Sequence, residues 1–261
     1  MPVLRSNPSE SILIERDTLT AAKARLSDSQ RRSQQDKAPR SEIYYPIKRS
    51  AEETIDDPEC NGPLDAIVTR NHYGSMVLNA YHALFIDVDM PGSSNPSRYG
   101  NSSRYGVPHE WQGVFNDLCT VLASERRTGF RVYRTAAGFR VLVTTQEFEP
   151  GSACANDLMR SVGADSQFVR FCDTQKTFRA RLTPKPWRCG ATEPPNQFPR
   201  RSAAERRSFS EWLEKYEVAC RNLATCQFLK HVGPDETHNR ISPIIELHDR
   251  ATKSHEELQL A

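Results

Sequence analysis

Two acidic residues at the end of an apolar segment are the first candidates for chemistry. The segment at 83–91, ALFIDVDMP, runs from apolar residues into Asp87 and Asp89. Residues two apart in a strand share a face, so both carboxylates are predicted to point away from the face that carries Ile86 and Val88. Carboxylates this close repel each other. Mg²⁺ or Mn²⁺ is the usual compensation, because hard cations bind carboxylate oxygens and keep positions for water or phosphate.

Basic residues on two later segments predict the complementary half of such a site. Arg140 lies in GFRVYRTAAGFRVLVTT, and Arg179, Arg181 and Lys185 lie in TFRARLTPKPWR. Guanidinium groups bind phosphate in a bidentate manner. Carboxylates, a divalent ion and arginines on one sheet face would suit nucleotidyl or phosphoryl transfer. The alternative is structural: Asp87 and the second aspartate pair with these arginines in a salt-bridge network, and a D-x-D pair alone does not decide between the two.

The elements that must position these residues follow from periodicity. DAIVTR and GSMVLNAYHALFIDVD read as strands, and the segment at 130–145 reads as a hairpin with Gly138 as its left-handed turn residue. Trp111 and Leu118 lie at helical spacing in HEWQGVFNDLCTVLASERR. We therefore predict an α+β core of mainly antiparallel sheet, with flanking helices on one side and the Trp111 helix packed against Ile86 and Val88.

Composition and predicted secondary structure divide the chain into three regions. Residues 1–60 are polar and are predicted to form a flexible N-terminal arm, and residues 61–190 form the core. Residues 191–261 are predicted to form a helical C-terminal extension. It contains a linker, a long helix at 202–233 capped by Ser202 and Glu205, and a tail. His248 and Asp249 lie in that tail and are expected on a solvated helix surface, with a general-base pair or a metal site as the alternative.

Composition limits the classes of function. The formal net charge is only +2, so contacts with nucleic acid would have to come from local clusters. No apolar stretch approaches the roughly 20 residues of a membrane span, and the N-terminus lacks a secretory pattern, so no membrane partner is expected. The seven cysteines include no C-x-x-C, which favours reduced thiols and a cytoplasmic location over a zinc site or a disulfide framework.

The order of these motifs resembles the archaeo-eukaryotic primase superfamily, especially its primase-polymerase branch. LFIDVD is similar to the acidic h-h-h-D-h-D strand of that family, RTAAGFRV to its glycine-bearing hairpin, and FRARLTPKPWR to its third, basic strand. The resemblance covers about residues 64–188. In the hairpin, Arg140 stands where the family has a nucleotide-binding histidine, and the third metal-binding acid has only Asp173 as a candidate.

The resemblance implies a primase-like (RRM-like) core that carries out metal-dependent nucleotidyl transfer on nucleic acid, in DNA replication or repair. Asp87, Asp89 and Asp173 would hold Mg²⁺ or Mn²⁺. Nucleotides and single-stranded nucleic acid would be the ligands, and a helicase or another replication or repair protein the partner. Phosphate and nucleotide contacts would come from Arg140, Arg179, Arg181 and Lys185.

A basic segment either follows the phosphate backbone of a nucleic acid or is a solvated linker and helix start. Its members are Arg188, Arg200, Arg201, Arg206 and Arg207. The adjacent Trp187 either stacks on a base or closes the core.

Two alternatives to an active primase stay open. The first is a catalytically degenerate nucleic-acid-binding or adaptor module that keeps the fold without the metal site. The second is a phosphatase of the haloacid dehalogenase type, which also opens on a strand ending in D-x-D. That class needs a parallel sheet and a later acidic cluster, for which GPDETHNR is a poor match.

Overall fold

A computed structural model describes residues 8–36, 52–55, 65–91 and 106–261. Among these residues the α-helices are α1 (Pro8–Asp36), α2 (Gln112–Ser124), α3 (Ala153–Ser161), α4 (Ser166–Gln175), α5 (Ala203–Cys220) and α6 (Ser242–Thr252). Short 3₁₀ turns span His109–Trp111 and Pro186–Arg188.

The strands form two antiparallel sheets of four strands each. The first sheet has the order β1 (Glu53–Thr54), β2 (Ala66–Arg70), β3 (Met76–Ala80) and β7 (Phe178–Arg181). The second has the order β4 (Phe85–Asp89), β6 (Gly138–Val143), β5 (Phe130–Thr135) and β9 (Cys226–Val232). A parallel pair joins β8 (Leu223–Ala224) to β10 (Gln259–Leu260). The predicted α+β class with mainly antiparallel sheet is confirmed, and this pairing is unlike the parallel sheet that a dehalogenase-type phosphatase needs.

The second sheet is covered on both faces. Phe139 and Val88 are paired in register, and the Phe139 ring contacts Trp111 and Phe115 at the start of α2. On the opposite face, the Phe85 ring lies 5.2 Å from the ring of His248 in α6. The expected packing of the Trp111 helix is confirmed, but the expectation of helices on one side is wrong, because α6 covers the face that carries the aspartates.

The C-terminal third departs from the predicted long helix. Ser202 and Glu205 form the expected capping box, but α5 ends at Cys220. The residues Cys226–Val232 instead pair with β5 as the edge strand of the second sheet. The register with β5 shifts between Val132 and Tyr133, so the pairing passes from Lys230 to Phe228 and skips Leu229. Tertiary pairing with β5 therefore replaces the helix that local propensity favours.

The N-terminal region contains an ordered helix where a flexible arm was predicted. Ala22 and Leu26 of α1 are buried in the main core, and Arg25 forms a bidentate ion pair with Asp117 of α2. Residues 37–51 and 56–60, the rest of the predicted arm with residues 1–7, lie outside the described residues. The predicted regions therefore share one hydrophobic core.

Gly138 is required by a close approach and is not a left-handed turn residue. Its φ is 159°, and it is the first residue of β6, paired with Asp89. A Cβ at this position would collide with the backbone oxygen of Val88. Glycine thus lets the hairpin approach the end of β4 closely, and Met90 N donates to Ala137 O across the same junction at 2.8 Å.

Candidate functional site

The strand register places the predicted acidic and basic residues side by side. Asp87 of β4 is paired with Arg140 of β6, and Arg140 is paired with Tyr133 of β5. Paired residues point to the same face, so these three side chains form a row under α6. The row is polar, although it lies between a sheet and a helix, where apolar side chains are the rule.

Arg140 is the centre of this row and is almost completely buried, with 1% of its side chain exposed. Its Nε and Nη2 donate to the two carboxylate oxygens of Asp87, at 2.8 and 3.2 Å. Its Nη1 donates to the backbone oxygen of Arg181 at 2.9 Å and thereby joins the second sheet to the first. Burial disfavours the charged form, but the Asp87 carboxylate outweighs it and raises the pKa of Arg140.

His248 is the next member of the network, and it is fully buried rather than solvated as predicted. Its Nε2 lies 3.4 Å from Arg140 Nη1, and its Nδ1 lies 3.0 Å from Asp249 Oδ1. A guanidinium nitrogen only donates, so we assign Nε2 as the acceptor and Nδ1 as the protonated donor to Asp249. Burial lowers the pKa of His248, which favours this neutral form.

Asp249 ends the network with donors on both carboxylate oxygens. Tyr133 OH donates to Oδ1 at 2.8 Å, Arg131 Nη2 donates to Oδ2 at 2.6 Å, and His255 Nε2 lies 3.0 Å from Oδ2. Burial alone would raise the pKa of Asp249, but the hydrogen bond from His248 and these further donors hold it well below its usual range. The network reaches solvent at His255, whose side chain is 57% exposed.

The network balances charge inside the protein, and its one thiol is not suited to nucleophilic attack. Cys226 Sγ lies 3.9 Å from His248 Nε2, which gives the order thiol, imidazole and carboxylate of a cysteine hydrolase. However, Cys226 and His248 are both 0% exposed. Burial also raises the pKa of Cys226 to about 12. A protonated thiol that no substrate reaches is a core residue, so we assign the cluster a structural role.

The other predicted metal ligands do not gather into a metal site with Asp87. Asp89 is half-buried at the end of β4. Asp173 is exposed on α4, where its Oδ1 accepts from Lys176 Nζ at 2.8 Å. Within the described residues, no group of three or more His, Cys, Asp or Glu side chains could hold a metal ion. Arg140 pairs with both oxygens of Asp87 and neutralises its charge, and the described residues supply no third ligand beside it, so these residues do not fit Mg²⁺ or Mn²⁺.

The predicted phosphate contacts on β7 differ in what they do. Arg179 is buried, and it donates to Glu52 Oε1 at 2.7 Å and to Gln175 Oε1 at 2.8 Å. Arg181 is half-buried, and its backbone oxygen is the acceptor for Arg140. Arg140 and Arg179 therefore have internal carboxylate partners, and the geometry counts against either as a phosphate ligand.

A different surface combines one exposed indole with half-buried aromatic and basic side chains. Trp187, in the 3₁₀ turn that follows β7, is 36% exposed, and Tyr73 meets its ring edge-on at 5.0 Å and 90°. Lys185 Nζ lies 5.3 Å from the centroid of the same ring. Arg188 is half-buried beside it in the chain, and the His72 ring lies 3.6 Å from that of Tyr73. We call Trp187, Tyr73, His72, Lys185 and Arg188 the aromatic–basic cluster.

Helix α5 packs against the segments that carry this cluster. Its residues Phe209, Trp212 and Tyr216 form a second, smaller apolar core. Trp212 Nε1 donates to Thr192 O at 2.9 Å, and Tyr216 OH donates to Thr183 Oγ1 at the same distance. Gly74, with φ of 84°, lies against the Trp212 ring, so the turn that carries Tyr73 also packs on α5.

The predicted basic segment divides into Arg188 of the aromatic–basic cluster, which is half-buried, one structural arginine and three exposed ones. Arg200 has 8% of its side chain exposed, pairs with Glu53 at 2.9 Å, and places its Cζ 3.2 Å from the centroid of the Phe209 ring. Arg201, Arg206 and Arg207 are exposed at the start of α5. Arg206 Nη1 donates to the backbone oxygen of Arg201 at 3.0 Å. Of the four arginines at 200–207, the three exposed ones are therefore available to a nucleic acid.

Sequence reasoning selected Lys185, Trp187 and Arg188 but missed His72 and Tyr73. The H-Y-G-S turn between β2 and β3 carries the rings of these two residues, and two adjacent rings in a turn were the signal that could have identified them. Nothing in the sequence shows that the turn meets Trp187, more than 100 residues away. Comparison with protein-family models, with curated proteins and with solved structures gives no match to this chain.

Proposed function

We propose that this protein is a single-stranded nucleic-acid-binding module on a primase-like core, and that its binding surface is the aromatic–basic cluster. The observation that carries the proposal is the environment of Trp187. An indole that is 36% exposed has an ammonium group, Lys185 Nζ, 5.3 Å from its centroid. Single-stranded nucleic acid needs both partners, because its bases stack on aromatic rings and its phosphates pair with cations.

The rigid placement of the ring supports this use. The edge-on contact with Tyr73 fixes the indole, and α5 holds the loop beneath it through Trp212 and Tyr216. A fixed ring loses little conformational entropy when a base stacks on it. The exposed Arg201, Arg206 and Arg207 at the start of α5 supply further positive charge on an element that packs against the same loop.

Binding without catalysis agrees better with the surroundings of Asp87 than nucleotidyl transfer does. Both oxygens of this carboxylate accept from a buried guanidinium. Metal-dependent nucleotidyl transfer with Mg²⁺ or Mn²⁺ at Asp87 and Asp89 stays a prediction of the sequence. A helicase or another replication or repair partner likewise stays a prediction.

Fluorescence titration with single-stranded oligonucleotides tests the proposal. Trp111 is 2% and Trp212 is 7% exposed, so quenching of tryptophan emission on binding reports mainly on Trp187. Trp187→Ala removes this reporter, so the variants are compared by the fluorescence anisotropy of a labelled oligonucleotide. Trp187→Ala should weaken binding about 5- to 160-fold, the equivalent of about 1–3 kcal/mol for one stacked base. Trp187→Phe should retain most of the affinity.

Phe198→Ala is the matched control, because Phe198 is exposed to the same extent, at 37%, and was not selected as part of the surface. Parallel titrations with DNA and RNA of the same sequence compare the two ligands. The proposal fails if low salt yields no binding, or if Trp187→Ala and Phe198→Ala weaken binding equally.

A further inference from the structure

Two cysteines from different elements meet directly behind the aromatic–basic cluster. Cys189 ends the 3₁₀ turn that carries Trp187, and Cys220 is the last residue of α5. Their sulfurs are 3.8 Å apart, although 31 residues separate them in the chain. Both side chains are half-buried, so each keeps some exposure to solvent.

We propose that Cys189 and Cys220 form a redox-active dithiol that hydrogen peroxide closes to a disulfide. The sulfurs must approach by about 1.8 Å to reach the bond length of about 2.05 Å. Rotation of the two side chains can supply much of that approach, because each sulfur is one rotatable bond from its backbone. The inference does not rest on the proposed nucleic-acid binding.

The hydrogen bonds assign a different role to each sulfur. The Cys220 thiol donates to Cys189 Sγ at 3.8 Å, and the Cys189 thiol donates to Pro186 O at 3.2 Å. Because the Cys220 thiol is directed at Cys189 Sγ, we assign Cys189 as the sulfur that peroxide oxidises and Cys220 as the sulfur that resolves it. Burial and the nearby Cys189 sulfur raise the pKa of Cys220 to about 12, so Cys220 stays a thiol until it resolves the oxidised partner.

The chemistry balances in two steps. The Cys189 thiolate attacks one peroxide oxygen, the O–O bond breaks, and the sulfur becomes a sulfenic acid while hydroxide leaves and takes up a proton as water. Cys220 sulfur then attacks the Cys189 sulfur, the S–O bond breaks, and a second water carries away the oxygen and the Cys220 proton. Two thiols and one peroxide give one disulfide and two waters, and the two electrons pass from sulfur to peroxide.

The disulfide would tie the turn that carries Trp187 to the end of α5. That end is also held by Lys253, whose Nζ donates to Cys220 O at 3.3 Å. Oxidation would therefore fix the loop at 186–189 to a helix end that is already anchored to the residue following α6. The reduced and oxidised proteins should differ in the protease sensitivity of this loop.

Peptide mapping of the oxidised full-length chain tests the proposal. The protein is treated with a stoichiometric amount of hydrogen peroxide, blocked with an alkylating reagent and digested without reductant. A cross-linked peptide that joins Cys189 to Cys220, and that thioredoxin or dithiothreitol separates, is the expected product. The map must cover all seven cysteines, because Cys60 lies outside the described residues.

Cys189→Ser should abolish that cross-link and leave Cys220 unmodified, whereas Cys220→Ser should trap a sulfenic acid at Cys189 that dimedone labels. Cys154→Ser, at an exposed cysteine on α3, is the matched control and should leave the cross-link intact. Dimedone labelling or over-oxidation at Cys189 with no cross-link in the wild-type chain would overturn the proposal. So would disulfides that form only through Cys154 or between molecules.

Discussion

Arg140 donates two parallel hydrogen bonds to the carboxylate of Asp87, at 2.8 and 3.2 Å, and only 1% of the arginine side chain is exposed to solvent. Asp87, which the sequence predicted as a metal ligand on β4, therefore forms an internal ion pair. The relationship explains how an aspartate stands in a sheet face that a helix covers, since a buried guanidinium needs a charged partner.

Asp87→Ala should destabilise the fold by about 3 kcal/mol, because it leaves the Arg140 charge buried without its carboxylate. Chemical denaturation measures the change. Asp173→Ala is the control, since its pair with Lys176 is exposed and should contribute less than about 1 kcal/mol. The double variant Asp87→Leu/Arg140→Met should recover part of the loss. Equal effects of the two single substitutions would contradict the assigned role of the pair.

Mn²⁺ should not bind in a manner that depends on Asp87 or Asp89, because Arg140 already neutralises one of the two carboxylates. Isothermal titration of the wild-type chain, Asp87→Asn and Asp89→Asn measures this. Asp89→Asn leaves the ion pair between Asp87 and Arg140 intact, so any effect of this variant does not come from loss of that pair. Stoichiometric Mn²⁺ uptake that both variants lose, together with nucleotide incorporation on a primed template, would instead establish the enzyme.

The four arginines at 200–207 should separate into two classes. Arg201→Ala, Arg206→Ala and Arg207→Ala together should flatten the salt dependence of oligonucleotide binding with little change in stability, because all three are exposed. Arg200→Ala should lower the free energy of unfolding, since its guanidinium lies on Phe209 and pairs with Glu53. A triple variant with an unchanged salt slope would remove these residues from the binding surface.

Stability should fall as the pH drops from about 6.5 to 5. Burial lowers the pKa of His248 in the fold, so only the unfolded chain takes up this proton readily below about 6.5. The unfolded state is then favoured by up to about 1.4 kcal/mol per pH unit. The groups that face the ring are Arg140, Cys226, Tyr133 and Asp249, and the Arg140 charge further disfavours protonation.

Urea denaturation at a series of pH values measures this slope. His248→Gln should reduce it, because this variant removes the imidazole whose pKa burial lowers. His72 contributes in the same direction, because partial burial lowers its pKa too, so His72→Gln should remove a further part of the slope. A slope that His248→Gln leaves unchanged would show that protonation of this imidazole does not limit stability.

The sequence by itself determined the local elements of this protein. Alternation of apolar and polar residues identified β4 and the β5–β6 hairpin, and the spacing of Trp111 and Leu118 identified the buried face of α2, where Leu118 is 0% exposed. The capping box at Ser202 fixed the start of α5. These features depend on residues a few positions apart, whose relative directions the backbone sets.

Only the tertiary structure decided what the charged residues do. The sequence predicted either a metal site or a salt bridge for Asp87, with Arg140 as a possible partner. The burial that makes the two residues a structural pair comes from α6, which lies more than 100 residues later in the chain. The segment at 226–232 became a strand because β5 offered it an edge, and Tyr73 reached Trp187 because α5 holds both loops. Contacts between distant segments depend on the summed packing of the whole core, and no local pattern of residue types encodes that sum.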